Sequence, residues 1–172
     1  IEEREVPASI VPGEVLSPTQ PHVTWPEPYS MQGISEEDLL DFTPELKAQS
    51  LATMEDYVMG GLFNPPIHAD NPMGKYAAMN CPGGAGGVNI TSPPVADPVN
   101  NVFYLSEHTA CFTLRLIPGE EADLLFPNST GTTTAQYANS VRGATARTPR
   151  HPSGLPIWKP PYSTIVALSL IH

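Results

Sequence analysis

Between Gly83 and Gly119 the chain carries the pattern that most restricts its fold. The stretch reads GGAGGVNITSPPVADPVNNVFYLSEHTACFTLRLIPG. Val88–Ser92, Val102–Ser106 and Cys111–Ile117 are short runs rich in β-branched and aromatic residues, which predicts three strands. Asp97-Pro98-Val99-Asn100-Asn101 is a turn by composition. Read in order, the runs predict an antiparallel meander. Strands this short cannot bury two faces unaided, so the meander must pack on another sheet or on a copy of itself.

The prolines exclude helix from the first part of the chain. Pro7, Pro12, Pro18, Pro21, Pro26 and Pro28 remove donors and clash with the preceding turn. Residues 1–33 are therefore expected to run extended over a surface, pinned by Val11, Val15, Leu16 and Trp25. With 21 Pro, 13 Gly and 40% hydrophobic residues, the chain reads as loop-rich β and not as a disordered segment. At 172 residues it has room for one ordinary domain.

Helix signals are confined to one region. Ser35-Glu36-Glu37-Asp38 matches a capping box and predicts a short helix with Leu39, Leu40 and Phe42 on its apolar side. Thr43-Pro44-Glu45 supplies an N-cap, a proline at the first helical position and an acid in the first turn. Leu51, Met54 and Val58 then share a face, predicting a helix within 44–58 that Gly60-Gly61 would end. Residues 62–75 read as loop. His68 and Asp70 have metal-pair spacing there, but no third ligand is spaced to join them, so a surface loop is the expectation. Thr130–Thr134 reads as a short strand and Thr164–Leu170 as an apolar final one. The acceptor patterns at Asn89 and Asn128 are read as chance matches, and His151 has no visible partner in the sequence.

Charge narrows the function classes. The formal net charge is −10, and residues 1–57 hold 12 of the 18 acids beside only Arg4 and Lys47. A solvated acidic arm accounts for this. The balance excludes nucleic acid, whose phosphates need clustered Lys and Arg. No apolar run approaches the roughly 20 residues of a membrane-spanning helix.

Gly86-Gly87-Val88-Asn89, then small residues, Asp97-Pro98, a turn and Val102-Phe103-Tyr104-Leu105 together resemble a blade of the pyrroloquinoline quinone (PQQ) dehydrogenases. Two further stretches resemble the same family: Val11–Pro21 an inter-blade connection, and Gly154–Tyr162 with Ser163–Leu168 the loop and strand opening a late blade. The resemblance implies a partial β-propeller, mainly β with a short helical insertion, amounting to about one blade plus the start of another. Its implied organisation is one segment, with residues 1–33 an extended linker, 34–60 a helical insertion and 61–172 the blade region.

The implied activity is oxidation of an alcohol or sugar, as in glucose- and quinate-dehydrogenase-like members. The intact parent would use PQQ and Ca²⁺, and this chain alone would bind neither and be inactive. The implied partners are a small-molecule substrate and the remaining propeller blades, in the periplasm. The family's base and calcium ligands lie outside what this chain matches, so no catalytic or metal residue is carried over. Asn89 falls where the family places an Asn that hydrogen-bonds PQQ, and an amide both donates and accepts. Trp158 and Lys159 lie in a loop expected near the active-site face, where packing of Trp158 and Tyr162 on the sheet is the favoured role. An oxidising compartment allows a Cys81–Cys111 bridge, and two free buried thiols fit the sequence equally. The rival reading is a non-enzymatic secreted β-rich interaction module.

Overall fold

A computed structural model describes residues 1–83, 86–88, 93–118, 137–139 and 148–171. The chain is mainly β with one short α-helix, as the sequence predicts. It opens with a hairpin in which β1 (Glu2–Glu5) pairs antiparallel with β2 (Thr19–His22). The proline-rich arm is thus partly paired with itself. Only Val11 of its expected pins is buried; Val15 and Trp25 are exposed and Leu16 lies at the surface. His22 and Gly33 of this arm are buried as well.

The helical region is shorter than its sequence signals suggest. Ser35 does form a capping box with Asp38, but it caps a single 3₁₀ turn, Glu36–Asp38. Leu39 and Leu40 leave that turn extended and enter the core, while Phe42 stays exposed. Thr43 accepts from the Leu46 amide and starts α1 (Pro44–Met54). The helix ends at Met54, before the glycines, because Tyr57–Val58 is drawn off as strand β4. Gly60–Gly61 is β5, which pairs with β3 (Gly33–Ile34).

Two larger sheets follow. In one, β11 (Phe112–Pro118) pairs antiparallel with β7 (Ala77–Asn80) and β12 (Tyr137–Asn139), and parallel with β6 (Ile67–His68). β4 lies parallel to β7 on its far side. In the other, β10 (Val102–His108) lies between β13 (Ser163–Ser169) on one edge and, on the other, β8 (Gly87–Val88) and β9 (Val95–Asp97) in turn. The loop expected over 62–75 therefore contains a strand, and His68 is buried in it.

The predicted meander is not formed, although its second and third strands are. β10 and β11 belong to different sheets. The physical reason lies in the three residues between them. The Thr109 amide donates to Tyr162 O at 2.9 Å, holding the end of β10 against the chain that leads into β13. Cys111 is disulfide-bonded to Cys81, which carries β11 over to β7. The first predicted strand is described only to Val88; its remainder, the run Thr130–Thr134 and both acceptor asparagines lie outside the described residues.

The core gathers Ile34, Leu39, Met54, Met79, the Cys81–Cys111 disulfide and Ile157. Trp158 packs against it, so the packing role expected for this residue holds. His151 is also structural. Its Nδ1 accepts from the Ser153 amide at 3.1 Å, which leaves Nε2–H to donate to Leu46 O at 3.3 Å and ties residues 148–157 to α1. The sequence hides this partner because it is a backbone carbonyl 105 residues away.

Candidate functional site

The segment Tyr29–Ile34 is bordered by three cavities that share its residues. One, of about 450 Å³, lies between His22, Glu27, Ser30 and Gln32 on one side and Gly86, Gly87 and Val88 on the other. A second, of about 250 Å³, lies over Glu107, Thr109, Lys159 and Thr164. Tyr29 lines both, so the two adjoin. A third, of about 570 Å³, continues past Met31 and Asp38 to Gly60.

The glycine wall of the first cavity is required by its backbone. A Cβ on Gly86 would lie 2.6 Å from Ala110 O, and Gly87 has φ +73°, a conformation glycine adopts without strain. This wall is held in place by β10, with Gly87 opposite His108 and Val88 opposite Glu107. Asn89, the residue expected to meet PQQ, follows this wall directly but lies outside the described residues. On the opposite wall, His22 Nε2 is buried without a hydrogen-bond partner among the described residues.

Lys159 reaches the second cavity, and its ammonium lies 3.3 Å from Asp41 Oδ2. The loop that carries it is fixed at both sides of the core: the Lys159 amide donates to Asp38 O and the Leu40 amide to Ile157 O, each at 2.9 Å. Glu107 belongs to no recognisable sequence motif. A signal was available, because strict alternation along VFYLSEH places Glu107 on the face of Phe103 and Leu105.

Comparison with protein families identifies the domain. The model for the β-propeller domain of the PQQ glucose/ethanol/alcohol dehydrogenases matches residues 1–172. The chain belongs to this family, and its curled sheets are a partial β-propeller. No individually curated protein matches it, and no solved structure does.

PQQ is a flat tricarboxylate quinone, which gives two tests of the glycine-lined cavity. Its shape passes the first, since a wall of bare backbone lets a ring approach closely. Its charge fails the second. The described residues lining it include no Lys or Arg, and their carboxylate, from Glu27, would repel the cofactor's own. Nor do the described residues contain a group of three His, Cys, Asp or Glu able to hold a metal ion. These residues do not fit PQQ by themselves.

Proposed function

We propose that this chain is one segment of a periplasmic PQQ-dependent dehydrogenase that oxidises an alcohol or sugar, with glucose- and quinate-dehydrogenase-like members as its nearest resemblance. The family match across residues 1–172 carries this reading. Within the segment, residues 1–33 act as a linker, 34–60 as an insertion and 61–172 as the blade region. The segment contributes the neutral glycine wall, with Asn89 as the amide that hydrogen-bonds the cofactor's edge. The cations that answer PQQ's carboxylates, the Ca²⁺ ligands and the catalytic base come from the remaining blades. The chain alone is therefore inactive. The protein's share of such chemistry is orienting the cofactor and tuning its electronics, and a wall without its cations does neither.

The test uses the whole coding sequence that contains this segment. The expected result is dye-linked oxidation of glucose, quinate or a primary alcohol that depends on added PQQ and Ca²⁺. Asn89→Ala should weaken PQQ affinity about tenfold, the size expected for one lost hydrogen bond. The 172-residue chain under the same conditions should give no oxidation, since losing base and metal costs orders of magnitude in rate. No PQQ-dependent oxidation from the longer protein with any of these substrates overturns the function. Oxidation at enzymatic rates by the 172-residue chain overturns its incompleteness.

A further inference from the structure

Glu107 is 1% exposed and occupies a position where the alternation of β10 calls for an apolar side chain. Carboxylates in such places are ordinarily paired with a cation. Among the described residues Glu107 has no ion pair. Its hydrogen bonds come from two hydroxyls. Thr109 Oγ1 lies 3.4 Å from both carboxyl oxygens, and Thr164 Oγ1 donates to Oε2 at 3.3 Å. Both contacts are long. Two hydroxyl hydrogens thus serve a group with about four acceptor sites. The same three residues line the 250 Å³ cavity, so the unfilled acceptor capacity stands beside open space.

The rest of the lining selects the chemistry of an occupant. Lys159 reaches the same cavity and disfavours a second cation, whether metal or ammonium. Asp38 and Glu107 disfavour an anion. A neutral group that donates to the carboxylate and accepts from Lys159 satisfies every wall. A hydroxyl does both, and adjacent hydroxyls do so together. Tyr29 and Pro160 supply apolar faces for the carbon side of such a molecule.

We propose that Glu107, Thr109 and Thr164 form a hydroxyl-recognition subsite for a neutral polyol or sugar. The inference rests on the dehydrogenase reading only for its biological setting, where the subsite would favour polyhydroxylated substrates over simple alcohols. Its chemistry stands on the cavity alone.

Saturation-transfer NMR on the 172-residue chain tests it, a readout that self-association does not spoil. The probes are glycerol and glucose, with 1-propanol and methylammonium as comparators. Transfer to glycerol or glucose should exceed transfer to either comparator. Glu107→Leu should weaken polyol binding about tenfold or more, the size expected for hydrogen bonds to a charged group. Glu107→Gln keeps the size and one acceptor and should fall between the two. Its thermal melt reports folding separately. Equal polyol transfer in wild type and Glu107→Leu overturns the subsite, as does methylammonium giving the stronger transfer, or no polyol transfer from wild type. In the longer protein, Glu107→Leu should raise KM for glucose more than KM for ethanol. Retained PQQ-dependent ethanol oxidation with no change in KM for glucose overturns the subsite and leaves the dehydrogenase reading standing.

Discussion

Cys81 and Cys111 are bonded at the point where the chain leaves the sheet of β10 for the sheet of β11, with Cα atoms 4.6 Å apart. The bond closes a loop with a sequence separation of 30 residues. Both cysteines are buried in the core cluster. The bridge therefore acts on packing and on chain entropy together. Replacing both cysteines with serine should lower stability by about 2–4 kcal/mol. Urea unfolding measures this, and an unchanged midpoint would contradict the role given to the bridge.

A second prediction concerns the contact between β3 and β5. Gly33 has φ +103°, and a Cβ there would lie 2.3 Å from Gly60 O and 2.5 Å from Gly61 Cα. Both obstacles are backbone, so a substitution has to separate the strands. Gly33→Ala should cost more than about 2 kcal/mol. Gly61→Ala is the control, because a Cβ there meets nothing within 4 Å; it should change stability by about 0.5 kcal/mol or less. Equal thermal melts for the two variants would refute this account.

The turn between β9 and β10 gives a pH prediction. Asp97 accepts from the Asn100 side chain at 2.6 Å and from the Asn100 and Val99 amides at 3.1 and 3.0 Å. These bonds, the Asn100 side chain first, hold its carboxyl below the usual carboxylate range. A group whose folded value is depressed stabilises fully above its unfolded value, about 3.9, and loses that contribution as pH falls through the folded value. Acid should therefore loosen the β9–β10 hairpin. The Asp97→Asn variant should lose less stability than wild type between neutral pH and acid. Parallel pH–stability curves for the two would count against the turn.

The outer edge of β13 makes a fourth. β13 ends the strand order of its sheet, and no described strand pairs with its far side. Ile165 is 80% exposed there, and Leu170 and Ile171 are exposed just beyond. An unpaired apolar edge is a template for another strand. The 172-residue chain should self-associate in light scattering as concentration rises, and Ile165→Lys should suppress this. A concentration-independent melt of a clean monomer would argue instead for a module that folds by itself.

Local chemistry was readable from the sequence, and pairing was not. The Ser35–Asp38 capping box, the Thr43-Pro44 helix start, the 97–101 turn and the final strand are all present. Each depends on residues within a few positions. The partnership of β10 with β13 depends on residues 55 apart, and nothing in either run names the other. β7 was missed for another reason. Ala77 and Ala78 have weak strand propensity, and their burial between β4 and β11 comes from the neighbours. The glycine wall of the site could be read from Gly86-Gly87, but the Glu107 cavity forms only when β10, β13 and the Tyr29 segment meet.

The same long-range pairing sets a timetable for biosynthesis. A ribosome finishes β10 well before it reaches β13, and the interval from His108 to Ser163 is 55 residues. At roughly 5–20 residues per second, that is about 3–11 s during which the nascent chain shows one bare edge of β10. The β7–β11 pair waits a little over half as long, because Phe112 follows its partner Asn80 by 32 residues. The two sheets are therefore built in sequence, and the later one passes through a window in which a chaperone or another nascent copy competes with the native strand.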